Sequence, residues 1–347
     1  MLANYGATMA FIAFGLWFYT TASGYHRAEL GAELMVRLGG EDRLVRSADL
    51  LTWLAVAYGV ILLPYYALLP GVVSKSRVAA AWLLGQFFDA ERPRFGREEQ
   101  QALLVLLLKF FFVPLMANWL LGTTAEVLEH WRSLAWPSSP GAFLTAFNAH
   151  LYLLVFKLLL MIDVFLFTVG YVVELPALRN EIRSVDPTVG GWLVCLACYP
   201  PFNQALSAFF PWQPSDFPKF ASPAVHVSLN CLILAAMAVY AWASVALGLR
   251  ASNLTNRGIV RSGPYAWVRH PAYAAKNLAW WIGALPAIGA AFAQSPGLGL
   301  WAIGCVAAWT AIYVLRALTE ERHLLLIPNG YAQYMQAVRY RFVPNVC

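Results

Sequence analysis

Charged residues are scarce in this chain of 347 residues, in which Asp, Glu, Lys and Arg together make up 12%. Soluble domains carry about 25% charged residues, so the composition excludes an ordinary soluble fold. Apolar residues make up 60% of the chain, and they are concentrated in runs of about the length that crosses a bilayer. The sequence therefore predicts an all-α fold, a polytopic integral membrane bundle of about eight transmembrane helices.

Cysteine is also scarce, and no cleavable signal is evident. Cys195 and Cys198 have the spacing of a redox pair, but nothing around them suggests a thioredoxin unit, so small buried thiols are the preferred interpretation. No basic segment precedes the first apolar stretch, residues 9–19, so we expect a retained first span. The net charge of +6 is modest, and it fits basic cytoplasmic loops better than nucleic-acid binding.

The apolar runs predict the positions of the spans and the orientation of the chain. A short apolar piece at residues 78–88 cannot cross and is expected at the membrane interface. Arginine and lysine are concentrated in the loops near residues 75–97, 179–183 and 250–269 and in the tail, which predicts that these regions are cytoplasmic. The predicted spans are residues 5–22, 49–70, 101–121, 146–173, 189–211, 224–247, 272–293 and 298–318.

Residues 257–273 form a polar, basic and aromatic segment between two of these spans. The segment combines residues for a tight loop, for aromatic stacking and for anion binding, namely Gly258, Gly263, Pro264, Tyr265, Trp267, Tyr273, Arg257, Arg261, Arg269 and His270. The turn at residues 294–297 is so short that the two following helices should form an antiparallel hairpin. The hairpin would bring the segment close to Arg316, Glu320 and Glu321.

A zwitterionic ligand with an aromatic base, a ribose, a carboxylate and a positive charge suits this set of residues. S-adenosylmethionine has all four features, and a nicotinamide dinucleotide would also suit the basic residues through its phosphates. The alternative is a plain topology signal, in which arginines extend to the interface and aromatic residues form the interfacial belt. An acidic partner across a short hairpin favours a binding site over that alternative.

Several elements in the C-terminal part of the chain carry a resemblance to a known family. They are the segment 257–273, the hairpin, Arg316-Ala-Leu-Thr-Glu-Glu321, Tyr331-Ala-Gln-Tyr334 and Arg341-Phe-Val-Pro344. Together they resemble the isoprenylcysteine carboxyl methyltransferases and their relatives, the phospholipid N-methyltransferases. The resemblance implies an enzyme that depends on S-adenosylmethionine and methylates a lipid-like acceptor from the bilayer, a prenylcysteine carboxylate, a phospholipid amine or a related isoprenoid. It also implies a multi-pass protein of the bacterial inner membrane or the endoplasmic reticulum, with the cofactor site on the cytoplasmic side.

The resemblance implies a role for particular residues. The cofactor would contact Arg257, Gly258, Ile259, Val260, Tyr265, His270, Pro271, Ala272, Tyr273 and Glu320. Arg316 would bind and orient the acceptor, and Glu321 or Glu320 would accept the proton if the acceptor is an amine. Lys276 and Asn277 follow Tyr273 within one helical turn and could contact the acceptor head group, and the alternative for Lys276 is extension to the membrane interface. No metal is required, and the family pattern has histidine and glutamine where this chain has Arg257 and Arg250.

Two other functions compete with a methyltransferase. Sterol reductases share the Arg-His-Pro element and bind a nicotinamide cofactor, but they carry an Arg-Asp-Glu element where this chain has Thr319-Glu320-Glu321. A transporter would be favoured by repeats with broken helices, and the sequence shows no convincing repeat.

The sequence also predicts a division of the chain. Residues 1–223 are predicted to form an N-terminal bundle, either the acceptor pocket or accessory helices, and residues 224–347 a methyltransferase-like membrane domain. Lys157 and Asp163 lie inside the fourth span, where they either pair with other spans or line an acceptor cavity. The oligomeric state is left open.

Overall fold

The computed structural model describes residues 1–38, 41–69, 71–89, 91–211, 214–328 and 330–346. The protein is 72% helical, in agreement with the predicted all-α membrane fold. Its chain divides into two compact units. The first comprises Met1–Ala125 and Phe167–Glu174, and the second comprises Glu126–Leu166 and Leu175–Cys347.

The first unit contains apolar helices and a β-hairpin. In chain order its elements are helix α1 (Leu2–Trp17), helix α2 (Gly24–Glu29), strands β1 (Glu33–Leu38) and β2 (Glu41–Arg46), helices α3 (Ser47–Leu68) and α4 (Lys75–Phe88), and most of helix α5 (Arg97–Ser133). Helix α1 packs against α3 and α4. The Asn118 side chain of α5 accepts hydrogen bonds from the Ala32 amide at 3.0 Å and the Ser47 hydroxyl at 2.6 Å. Both ends of the hairpin are therefore held to α5.

The second unit contains the C-terminal helices. Its elements are helices α6 (Pro140–Ala146) and α7 (Tyr152–Val172), strand β3 (Ser184–Val185), helices α8 (Val189–Leu196), α9 (Phe202–Ser207) and α10 (Pro223–Leu247), strand β4 (Thr255–Asn256), and helices α11 (Pro271–Gln294), α12 (Pro296–Leu325) and α13 (Tyr331–Ala337). The last turns of α7 belong to the first unit. Helix α11 packs against both α10 and α12.

The core of the second unit lies between α7, α10 and α11. Tyr152 is fully buried, and its ring stacks on Phe217 with 4.3 Å between the ring centroids. Its hydroxyl donates to the backbone carbonyl of Asp216 at 2.5 Å, so the buried polar group is satisfied. Ile233 of α10 and Ile282 of α11 are buried in the same cluster. This packing fixes the helices that carry the predicted site.

Five helical stretches in the described residues are long and apolar enough to cross a membrane. They are Ser47–Leu68, Arg97–Ser133, Pro140–Val172, Pro223–Arg250 and Pro296–Leu325, which match the second, third, fourth, sixth and eighth predicted spans. Residue 70, the predicted end of the second span, lies outside the described residues. Helix α1 is continued by a π-helical turn, Phe18–Ala22, over the first predicted span, and α11 has 24 residues but contains Lys276, Asn277 and several tryptophans and glycines; neither is among the five. Eight spans are therefore not confirmed.

The fifth predicted span, residues 189–211, is interrupted near its middle. The chain forms the short helices α8 and α9, with Pro200 and Pro201 between them. Proline has no amide hydrogen to donate and its ring clashes with the preceding helical turn, so two adjacent prolines end the helix there. Cys195 is buried at the end of α8, and both Cys195 and Cys198 are free thiols.

The predicted helical hairpin is present. Helix α11 ends at Gln294 and α12 begins at Pro296, so a single residue joins them. That residue, Ser295, accepts a hydrogen bond from the Leu298 amide at 3.2 Å and caps α12. The foot of α11 and the end of α12 are consequently neighbours.

Gly283 lies where a loop approaches α11 closely, and we expect a substitution there to destabilise the protein. The Ser215 amide donates to the Gly283 carbonyl at 3.2 Å, and a Cβ on Gly283 would lie 2.4 Å from the Ser215 carbonyl oxygen. Gly283→Ala should therefore cost about 1–3 kcal/mol of stability. Gly289→Ala in the same helix is the matched control, because nothing lies within 4 Å of its Cβ position.

Thermal unfolding in detergent distinguishes the two variants. The transition temperature of Gly283→Ala should fall below that of the wild type. The transition temperature of Gly289→Ala should match or exceed that of the wild type, because alanine favours a helix over glycine by about 1 kcal/mol. Equal transitions for both variants would contradict the close approach of the loop.

Candidate functional site

Glu321 is the centre of a buried ionic network at the end of α12. Its side chain is 5% exposed, and Oε1 lies 2.7 Å from Nε of Arg269 and 3.2 Å from Nε2 of His270. The other oxygen, Oε2, lies 3.0 Å from Nε of Arg341. A buried carboxylate is costly unless cationic donors satisfy it. Both oxygens of Glu321 are satisfied in this way, so the network holds the loop, the helix and the tail together.

The tail also binds the loop through its backbone. The amide of Arg269 donates to the Tyr340 carbonyl at 2.9 Å, and the amide of His270 donates to the Arg341 carbonyl at 2.8 Å. The guanidinium of Arg269 donates to the Arg339 carbonyl at 2.6 Å. Residues 338–341 are thus held against the segment that leads into α11.

Glu320 contacts a different set of residues from its neighbour. Its Oε1 accepts hydrogen bonds from the Tyr273 hydroxyl and, at 3.2 Å, from Nε of Arg316. Its Oε2 lies 3.9 Å from Nδ1 of His270, and the side chain is 27% exposed. Arg316 is buried, and its guanidinium also donates to Asn253. The carboxylate of Glu320 is therefore held through Oε1, and the side chain is partly exposed.

Aromatic rings enclose the cation of Arg316. The carbon atom of the guanidinium lies 5.1 Å from the Tyr273 ring centroid, 5.6 Å from that of Tyr199 and 5.9 Å from that of Tyr313. The Tyr273 ring in turn stacks on His270, with 5.4 Å between the centroids and 9° between the planes. Contacts of this kind stabilise a desolvated guanidinium. Arg316 is consequently fixed at the foot of the hairpin.

The start of α11 is built by the His-Pro pair. Pro271 is the first residue of the helix and is buried, which suits proline because the first helical amides have no intrahelical acceptor. Ala272 is partly buried beside it. The turn leaves Tyr273 on the face of α11 that meets Glu320.

Arg257 is held by a segment from earlier in the chain. Its side chain is buried, and Nη1 donates to the Asn180 carbonyl at 2.7 Å. Gly258 follows with φ of +93°, a conformation that favours glycine, and its amide donates to the Asn256 side chain at 3.0 Å. Arg257 therefore anchors the loop to the segment around residue 180.

The loop also contacts the tail through Tyr265 and Ile259. The Tyr334 hydroxyl donates to the Tyr265 carbonyl at 2.8 Å, and burial raises the pKa of Tyr334 to about 12. Burial also raises the pKa of Tyr265 far above its usual range, and the nearby Glu320 carboxylate raises it further. Ile259 packs on the cluster around Tyr334, and Val260 is buried. Both tyrosines therefore stay protonated at neutral pH.

Lys276 lies one turn further along α11 inside an aromatic cage. Its Nζ is 5.2 Å from the Trp280 ring centroid, 5.6 Å from that of Tyr313 and 5.8 Å from that of Tyr240. Tyr313 also contacts Arg316, so the two cations share one ring. Lys276 therefore lies near Arg316, the residue that was predicted to bind the methyl acceptor.

Three further polar residues lie inside the helices: Asp163 and Lys157 have side-chain partners, and Asn277 has one oxygen without a hydrogen bond among the described residues. The Asp163 carboxylate accepts hydrogen bonds from Tyr240 at 2.8 Å and from Ser244, and Lys157 lies 2.9 Å from Glu126. Asp163 and Lys157 were predicted either to pair with other spans or to line an acceptor cavity, and both pair with neighbouring helices. Asn277 donates to the Tyr273 carbonyl at 2.9 Å. Its buried Oδ1 has no hydrogen-bond partner among the described residues.

Sequence reasoning missed the residues that reach the site from outside the C-terminal motifs. Asn253 binds Arg316, and Tyr199, whose hydroxyl accepts from Asn253 at 3.0 Å, lies against the same guanidinium. Asn180 holds Arg257 from a segment about 80 positions earlier in the chain. No local pattern marks these contacts, because each joins positions that are far apart in sequence.

Comparison with known proteins identifies the region that carries this geometry. Residues 225–325 match the isoprenylcysteine carboxyl methyltransferase (ICMT) family. The match runs from the start of α10 to the end of α12, so it contains the loop, the hairpin and both glutamates. It supports a membrane methyltransferase of the isoprenylcysteine type, in agreement with the resemblance in the motifs. Searches of curated proteins and of solved structures find no match.

The ionic network predicts the effect of removing Arg269. Arg269→Ala leaves a buried carboxylate short of one cation and the tail without its side-chain donor, which should lower the free energy of unfolding by about 3 kcal/mol. Thermal unfolding and limited proteolysis of the tail measure the two effects. Arg339→Ala is the matched control, because its side chain is exposed and only its carbonyl takes part. Equal stability of the two variants would contradict a structural role for the network.

Proposed function

We propose that this protein is an S-adenosylmethionine-dependent methyltransferase that modifies a lipid-like acceptor in the membrane. The observation that carries the proposal is the contact set of Tyr273, Glu320 and Arg316 at the foot of the hairpin. It lies inside the region that matches the methyltransferase family. A carboxylate, a phenol and a buried guanidinium are groups that can hold a zwitterionic cofactor beside an acceptor.

The residues at this foot fit the cofactor chemically. The carboxylate of Glu320, whose side chain is partly exposed, can accept a hydrogen bond from a ribose hydroxyl or an amino group. The buried Oδ1 of Asn277 is an acceptor without a partner in the described part of the chain, next to the Tyr273 turn. When bound, the cofactor supplies a methyl group on a positively charged sulfonium.

Methyl transfer by displacement needs the acceptor in line with the methyl group, so the protein mainly positions the acceptor and excludes water. Arg316 is suited to that task because Glu320, Asn253 and the aromatic rings hold its guanidinium in one orientation. Lys276 brings a second positive charge close to it across Tyr313. Two cations favour an acceptor with an anionic head group, and a carboxylate needs no base to attack.

The two glutamates take separate roles in this proposal. Both oxygens of Glu321 are engaged by Arg269, His270 and Arg341, so proton transfer, predicted for either glutamate, falls to Glu320 if the acceptor is an amine. Glu321 becomes a positioning residue for the loop. We further propose that this end of the protein is cytoplasmic, because the basic loops near residues 179–183 and 250–269 lie there. The acceptor would then enter laterally from the bilayer.

Ligand binding tests the proposed cofactor. We expect isothermal titration of the purified protein to give saturable binding of S-adenosylhomocysteine and none of NADPH. General attraction to basic residues would favour NADPH, which carries several phosphate charges, over the zwitterionic S-adenosylhomocysteine, so this result would indicate a specific site. Saturable binding of NADPH alone would overturn the proposal in favour of a reductase.

Replacement of Arg316 tests the acceptor role. Arg316→Ala should lower methyl transfer by about 100-fold, because a misplaced acceptor loses the in-line geometry. Its affinity for S-adenosylhomocysteine should stay close to that of the wild type. Transfer of a labelled methyl group to a farnesylated cysteine derivative and to phosphatidylethanolamine gives the rates and distinguishes the two acceptor classes. Arg322→Ala, an exposed position on the same helix, is the control, and an equal loss of cofactor affinity in Arg316→Ala would argue against an acceptor role.

A further inference from the structure

A short segment from before α8 lies against the cofactor loop. We call residues 180–186 the strap. Its strand β3 pairs with β4, in the register Ser184 to Asn256, and the Arg183 amide donates to the Asn256 carbonyl at 2.9 Å. On the other side, the Ser184 hydroxyl lies 2.9 Å from Nε2 of His323 in α12. The strap is therefore fixed both to the loop and to the helix end that carries Glu320.

The side chain of Arg183 lies over Gly258. Its Nη2 and Cζ atoms are 3.4 Å and 3.5 Å from the position that a Cβ on Gly258 would occupy. The φ of +93° at Gly258 disfavours any residue with a side chain, so the glycine leaves this space to the guanidinium. Arg183 itself is exposed, and none of the ion pairs found among the described residues involves it. A positive charge is thus held at the loop and is open to solvent.

The other arginines of the loop are committed elsewhere. Arg257 is buried against the Asn180 carbonyl, and Arg269 is paired with Glu321. Arg261 donates to the Gly330 carbonyl at 3.0 Å, on the side of the tail. Because Arg257 points at the Asn180 carbonyl, the exposed cation at Gly258 comes from Arg183 of the strap.

We infer that Arg183 binds the carboxylate of the cofactor's amino-acid end. The inference rests on the proposed function, because the carboxylate is the one anionic group of S-adenosylmethionine. A guanidinium can hold a carboxylate through two parallel N–H donors, which gives orientation as well as affinity. Residue 183 lies outside the region that matches the methyltransferase family. The cofactor site would accordingly be completed by a segment from the preceding part of the chain.

The test compares two ligands that differ at the amino-acid end. S-adenosylhomocysteine carries the carboxylate, whereas 5′-methylthioadenosine lacks the whole amino-acid group. Isothermal titration of the full-length protein in detergent should show that Arg183→Ala weakens S-adenosylhomocysteine binding by about tenfold or more. Binding of 5′-methylthioadenosine should stay within about twofold, which also shows that the variant is folded. Arg183→Lys should give an intermediate loss, because lysine keeps the charge without the fork.

Arg179→Asn is the matched control. It removes the same charge from an exposed position immediately before the strap, and asparagine tolerates the positive φ of 51° found there. We expect its affinity for both ligands to equal that of the wild type. An equal loss of S-adenosylhomocysteine affinity in Arg179→Asn would mean that Arg183 acts only through general electrostatic attraction, which would overturn the inference.

The remaining outcomes separate the inference from the proposed function. If the wild type binds S-adenosylhomocysteine and Arg183→Ala binds it equally well, the inference fails and the methyltransferase proposal stands. If Arg183→Ala weakens both ligands to the same extent, Arg183 supports the loop only, and the inference fails again. If the wild type does not bind S-adenosylhomocysteine, both are overturned.

Discussion

The buried carboxylate of Glu321 is the interaction on which the geometry of the site depends. It binds Arg269 of the loop and Arg341 of the tail, which are distant from α12 in sequence, and it also contacts His270 at the start of α11. Such a network contributes little net stability, because removing the charges from water offsets much of their attraction. Its contribution is specificity. Any other arrangement of loop, helix and tail would leave a charge buried and unpaired, so the start of α11 is fixed relative to the end of α12.

From that fixed start, helical geometry determines which residues meet. Adjacent residues in a helix point about 100° apart, so Glu320 and Glu321 face different surroundings although they are neighbours. Glu321 faces the loop and the tail, whereas Glu320 faces Tyr273 across the hairpin and Arg316 one turn earlier on its own helix. One acidic pair therefore provides a structural anchor and a ligand-facing carboxylate, and neither can replace the other.

The sequence could predict what local patterns encode, and it failed where distant segments meet. The short turn before Pro296 and the spacing of Arg316 and Glu320 suffice to predict the hairpin and its foot. Apolar content predicts the fifth span, and Pro200 and Pro201, which are visible in the sequence, divide it into two short helices. The roles of the arginines depend on long-range contacts. Arg257 faces Asn180 and Arg183 faces Gly258, and no periodicity within either segment reveals that they lie together.

The distribution of paired and open cations also bears on the kind of ligand. A dinucleotide carries a pyrophosphate, which proteins hold with several donors at a helix start or with more than one free cation. In the described part of the chain, Arg269 and Arg341 share Glu321, and Arg316 is paired with Glu320. Two arginines stand outside these ion pairs, Arg183 at Gly258 and Arg261 at the Gly330 carbonyl, and both are exposed. A carboxylate needs only one such guanidinium, which is the contact proposed for Arg183, whereas a pyrophosphate would need several donors together.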